Sequence, residues 1–144
     1  MTKLKSPLEL TQDLIRFNTI NPPGNEKPCA QYLGKLLIDV GFLVTYHEFA
    51  EDRTSLIARA GDGSDLPLCF TGHIDTVPLG ASPWTMDPLA ADIKGNRVYG
   101  RGSSDMKSGG AAFVFAMADL MPHLADTPGV VLITLVGDPF SSRP

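Results

Sequence analysis

"GVVLITLVG", residues 129–137, is the segment that decides the fold class. It is short, rich in β-branched residues and apolar throughout. That pattern belongs to a strand buried on both faces of a parallel sheet. Just upstream, "KSGGAAFVFAMADLM" (107–121) reads as a helix that is apolar on nearly every side. Such a helix must be sandwiched against a sheet. Pro122 is expected to end it, because proline lacks the backbone donor. A buried helix leading into a buried strand is the repeating unit of an α/β protein.

Further towards the N-terminus the pattern alternates in the same way. "SPLE" (6–9) can start a helix, with Ser6 as cap, Pro7 at the first helical position and Glu9 closing a capping box. Leu10, Leu14 and Phe17 follow at helical spacing. "NPPGNE" (21–26) is a rigid loop. A second helix is expected from about Glu26 to Val40, with Leu33, Leu36, Leu37 and Val40 as its apolar stripe. "FLVTYHEF" (42–49), "TSLIARA" (54–60) and "LPLCFTG" (66–72) read as strands. "LGASPWTMDP" is a long loop, and "ADIKGNRVYG" is a hairpin turning at Gly95-Asn96.

Composition limits the function classes. The 144 residues are 43% hydrophobic and 19% charged, with net charge −4. A core is expected, and no basic stripe is present to displace phosphate counterions, so nucleic acid is not an expected partner. The start, "MTKLKSPLEL", lacks the apolar run of a signal peptide, and "GAAFVFAMADLM" is too short and too interrupted to cross a membrane. Cys29 and Cys69 lie on apolar segments and read as buried thiols, which fits a cytoplasmic location.

Two stretches could carry chemistry. In "TGHIDTVP", His73 and Asp75 project from one face of an extended backbone while Ile74 points into the core. A strand ending at Gly72 delivers both to the carboxyl edge of the sheet, where α/β proteins bind ligands. Imidazole ligates zinc, and a neighbouring carboxylate can fix its tautomer. From the tripeptide alone, a hydrogen-bonded histidine at a strand end is the simpler reading. In "GRGSSDMKSGG" (100–110), three readings compete. Gly100 and Gly102 before a helix suggest a phosphate cradle, against which Asp105 stands. Ser104 and Lys107 fit an S-x-x-K acyl-enzyme pattern, but no S-D-N triplet accompanies it. Asp105 could be a carboxylate metal ligand beside His73, or a helix cap.

Taken together, "TGHIDTVP", the Trp84 and "DP" that follow it, and "VYGRGSSDMKSGG" resemble the paired N-terminal motifs of one metallohydrolase family. It is the family of acetylornithine deacetylase, succinyl-diaminopimelate desuccinylase, aminoacylase-1 and glutamate carboxypeptidase. "NTINPPGNE" resembles its opening segment, and the similarity runs over residues 7–138. The resemblance implies that His73 ligates one metal, that Asp105 bridges two, and that Asp75 is the site carboxylate orienting His73. It implies a cis peptide at Asp105–Met106. The implied metal is zinc, or cobalt, manganese or nickel. The implied reaction is hydrolysis of an N-acyl amino acid or a peptide by a metal-activated water.

The expected architecture is a three-layer sandwich with a mostly parallel central sheet, forming a partial catalytic domain over 1–138. The family places a glutamate pair after the apolar strand, the first as general base. Here Pro139 and Phe140 follow Asp138, and 139–144 reads as an atypical tail. A lid or dimerisation domain and the remaining ligands are expected to be absent. His47 and His123 read as surface histidines. Weak metal binding and little or no turnover are therefore expected, with the alternative of a non-catalytic remnant that binds metal or another chain. Apolar faces without their covering favour a homo-oligomer.

Overall fold

The computed structural model of the protein describes residues 6–63, 65–124 and 129–137. In chain order it contains α1 (Pro7–Arg16), α2 (Lys27–Asp39), β1 (Leu43–Ala50), β2 (Arg53–Ala60), β3 (Leu68–His73), β4 (Ile93–Lys94), β5 (Arg97–Val98), α3 (Ser108–Leu124) and β6 (Val131–Val136). Helix α1 starts as its sequence dictates. Ser6 Oγ accepts from the Glu9 amide at 3.3 Å, the Glu9 carboxylate accepts from the Ser6 amide at 2.9 Å, and Pro7 opens the helix. The hairpin predicted around Gly95-Asn96 is β4–β5.

The α/β class holds, and the sheet is mixed. Its order is β1-β2-β6-β3. β1–β2 and β2–β6 are antiparallel, and β3–β6 is the parallel pair among the described strands. The expectation of a mostly parallel sheet is thus corrected. An unbroken apolar run signals burial, but it carries no information about the direction of a distant partner.

The layering differs as well. On β2, Leu56, Ala58 and Ala60 stand opposite Leu135, Ile133 and Val131 of β6, and all six are buried in the main core. That core takes in Leu10 and Leu14 of α1, Leu33 and Leu37 of α2, and Val114 of α3. Phe113 of α3 meets Phe70 of β3 with ring centroids 5.1 Å apart. Each Leu or Ile fully withdrawn from water here contributes roughly 1.5–3 kcal/mol. The alternate positions, Ile57, Leu132 and Cys69, share the opposite face. Among the described residues no helix covers that face, so the sheet has two layers where three were expected. This also corrects the reading of the thiols: Cys29 is buried in α2, whereas Cys69 is exposed.

Helix α3 runs through Pro122 to Leu124, one turn beyond the predicted stop. In a last turn, proline forfeits one hydrogen bond while its fixed φ remains helical. Asp138, where the predicted domain ends, and the 139–144 tail lie outside the described residues.

Candidate functional site

The site forms where β3 and β6 end together. His73 pairs with Val136, and the Ile74 amide donates to the Val136 carbonyl at 2.9 Å. Ile74 is buried, as its alternation requires, and leaves His73 and Asp75 at the sheet edge. The second motif arrives from the β4–β5 hairpin. Gly102 takes φ +81°, and a Cβ there would lie 2.5 Å from Thr76 Cγ2. Only glycine permits that turn so close to the first motif. Gly72 makes room in the same way for the Met106 side chain, whose Cε would lie 2.9 Å from an added Cβ.

Residues Ser103–Lys107 form an irregular turn, with Asp105 (φ −125°, ψ 96°) and Met106 (φ −134°, ψ 37°) outside helical geometry. The Asp105–Met106 peptide is cis, as the resemblance implied. The turn brings Asp105 Oδ1 to 2.9 Å from His73 Nε2. On the other side of the ring, His73 Nδ1 lies 3.0 Å from the Asp75 carbonyl oxygen and 3.3 Å from Asp75 Oδ1. The Asp75 carboxylate is buried, while that of Asp105 is 88% exposed. Partial burial works to lower the His73 pKa. The hydrogen bond with Asp105 and the contacts with Asp75 outweigh it, and the net shift is upward.

His73 and Asp105 line a cleft of about 230 Å³ with Val77, Arg101, Ser103 and Ser104. Arg101 ties the long loop to its wall. Its amide donates to Pro88 O at 2.7 Å, its Nη2 donates to Pro78 O at 3.0 Å, and its guanidinium stacks 5.1 Å from the Trp84 ring centroid.

The acyl-enzyme pattern does not assemble. Lys107 is buried, and its Nζ donates to the Phe17 carbonyl at 2.8 Å while Ser104 is exposed. Burial lowers the Lys107 pKa to about 8 against the attraction of Cys29 and Asp75. His47 on β1 and His123 near the end of α3 are both exposed, and neither lines the cleft.

The donor chemistry suits a borderline metal such as zinc. Two ligands on a tetrahedral zinc stand about 3.3 Å apart, close to the observed separation of the imidazole nitrogen and the carboxylate oxygen. Asp75 Oδ1, buried and without a hydrogen-bond partner, faces the ring from behind. Among the described residues, no group of three or more His, Cys, Asp or Glu side chains is placed to hold a metal ion.

Sequence reasoning missed two neighbours of this site. Asn21 Nδ2 donates to Asp75 Oδ2 at 3.2 Å, and Lys107 is the buried cation nearby. The "NTINPPGNE" segment was a usable signal for Asn21. No local pattern marks Lys107 as buried.

Residues 69–138 match the model of Peptidase family M20/M25/M40. A succinyl-diaminopimelate desuccinylase of Ruegeria sp. (strain TM1040) is 41% identical over 136 residues, covering 92% of this chain and 34% of the relative. The chain therefore spans about a third of the length of that curated relative. The M20 family metallo-carboxypeptidase Sso-CP2 of Sulfolobus solfataricus superposes with a TM-score of 0.78 at 22% identity, over 92% of this chain and 31% of that one. The Bacillus subtilis YXEP protein, described as a dinuclear metal-binding peptidase of the same family, superposes with a TM-score of 0.61 at 16% identity, over 90% and 33%.

Proposed function

We propose, from the match of residues 69–138 to the model of Peptidase family M20/M25/M40, that this chain supplies part of the metal-holding site of a hydrolase acting on the amide bond of an N-acyl amino acid or a peptide. The observation that carries the reading is the 2.9 Å approach of His73 Nε2 to Asp105 Oδ1 at the mouth of a cleft. The desuccinylase relative favours an N-succinyl amino acid as substrate. An acetylornithine deacetylase-like activity is the alternative within the same chemistry.

His73 and Asp105 are the residues that would hold the metal, and Asp75 orients His73. The mixed imidazole and carboxylate set is compatible with zinc, cobalt, manganese or nickel. When bound, the metal polarises the scissile carbonyl and lowers the pKa of its water. The protein's own part is to present Nε2 as a lone-pair donor, with Nδ1 turned towards Asp75, and to leave the Asp105 carboxylate open to the cleft.

A catalytic zinc needs three protein ligands and a general base nearby. The described residues supply two donors, and weak metal binding with little turnover is the expectation for that pair on its own. The uncovered sheet face favours a second reading, a homo-oligomer or a non-catalytic metal-binding partner of another chain. Leu43 is 73% exposed and Ile57 36% exposed on that face. A cytoplasmic location is part of the same proposal, supported by Cys29 and Cys69 both being free thiols.

Cobalt(II) titration of the purified chain tests the site, alongside hydrolysis of N-succinyl and N-acetyl amino acids at saturating metal. Cobalt binding that His73→Ala and Asp105→Ala both abolish is the expected result. Absence of binding, or binding untouched by either substitution, would overturn the reading. Sedimentation at micromolar concentration decides the oligomer, and a clean monomer would rule it out.

A further inference from the structure

The loop after α1 belongs to neither motif of the site, yet it is stitched to the first of them. The Asn21 amide donates to Thr76 O at 2.7 Å, and the Thr76 amide donates to Thr19 O at 2.9 Å. Thr19 Oγ1 donates to Ile74 O at 2.7 Å, so the loop is held in register with residues 74–76. This backbone frame places the Asn21 side chain, 2% exposed, against Asp75.

The contacts then form a line. Asn21 Nδ2 donates to Asp75 Oδ2 at 3.2 Å, Asp75 Oδ1 faces His73 Nδ1 at 3.3 Å, and His73 Nε2 meets Asp105 Oδ1 at 2.9 Å. The last torsion of an aspartate is broad and nearly two-fold, so the side chain does not fix its own carboxylate plane. A donor on one oxygen does. An amide is suited to this task because it is neutral. It holds Oδ2 by donating to it, with Oδ1 directed at the imidazole.

We propose that Asn21 is a positioning residue that sets the Asp75 carboxylate plane and, through it, the aim of the His73 ring towards the metal. The proposal rests on the reading of His73 and Asp105 as the metal-holding pair. It concerns a residue that is not part of the cleft lining.

The test uses the full chain with Asn21→Asp and Asn21→Ala. Asn21→Asp keeps the shape but sets a second carboxylate where the amide donor stood. In metal-free protein, NMR reads the Asp75 carboxyl carbon and the His73 ring nitrogens, and the backbone amide spectrum confirms the fold. Both signatures are expected to move in both variants while the amides of α2 and β6 stay in place. Cobalt(II) affinity is expected to fall about 10-fold or more in Asn21→Asp, the range typical of residues that orient metal ligands. Wild-type shifts and wild-type affinity in a folded variant would overturn the proposal. If Asn21→Asp does not fold, Asn21→Ala decides. If the wild-type chain binds no cobalt, the proposed function fails, while the NMR comparison still decides the role of Asn21.

Discussion

His73 and Asp105 are 32 positions apart in the chain, yet an imidazole nitrogen of one lies 2.9 Å from a carboxylate oxygen of the other. The first stands at the end of β3, an outer strand of the described sheet. The second stands on an irregular turn that reaches the sheet edge because Gly102 can adopt φ +81° beside Thr76. Nothing local to either motif creates this proximity.

The three site residues should separate by the size of their effect. His73→Ala and Asp105→Ala each remove a donor and are expected to abolish measurable zinc or cobalt binding. Asp75→Ala removes only the group behind the ring, so affinity should fall 10- to 100-fold and remain measurable. Competition titration against a chromophoric chelator provides the ranking. Equal losses for all three would show that Asp75 does more than orient.

The Cys29 thiol makes stability depend on pH in the alkaline range. Burial pushes its pKa up from 9.0 to about 12, with Lys107 opposing and Glu26 adding to the shift. Because the folded state holds the proton more tightly, this contribution is fully present below pH 9 and is lost as pH rises towards 12. At pH 10.5 the loss is about 2 kcal/mol. Thermal unfolding of wild type and Cys29→Ala at pH 8 and pH 10.5 checks it: Lys107, with its pKa lowered to about 8, adds an opposite trend to both proteins, and wild type should lose about 2 kcal/mol relative to the variant between the two pH values.

The two thiols should also differ in reactivity. Cys29 is buried in α2, whereas Cys69 is exposed on the uncovered sheet face. A thiol reagent at pH 8 should label one cysteine per folded chain, and Cys69→Ser should remove that labelling. Denaturant should release Cys29. Mass spectrometry of the labelled peptides distinguishes the sites.

Glu26 and Arg53 form a buried two-pronged ion pair, with contacts of 2.9 and 3.1 Å. Removing the carboxylate leaves a guanidinium buried without its counter-charge. Glu26→Ala is expected to cost about 3–5 kcal/mol, measured by urea denaturation. Replacing both residues with methionine should recover much of that loss, because the desolvation cost of the pair disappears with its attraction.

Short-range physics was readable in the sequence. Ser6, Pro7 and Glu9 act within three residues of one another, and the capping box follows. Gly95-Asn96 turns its own hairpin. The alternation of His73, Ile74 and Asp75 correctly sent the isoleucine inward and the other two to the edge. Pro122 was misjudged because its cost depends on how close it lies to the helix end. The candidate site was legible as two separate motifs, and their pairing rested on a family resemblance.

The sequence by itself determined the elements and the residue types at the site, because propensity, capping and periodicity act over a few neighbours. Tertiary structure alone decided that β2 and β6 run antiparallel and that Cys69 faces an uncovered side of the sheet. It alone brought the Asn21 amide against Asp75, across a separation of 54 residues. Those outcomes depend on which distant strand supplies the missing backbone hydrogen bonds and which face the helices leave open. No local pattern encodes either.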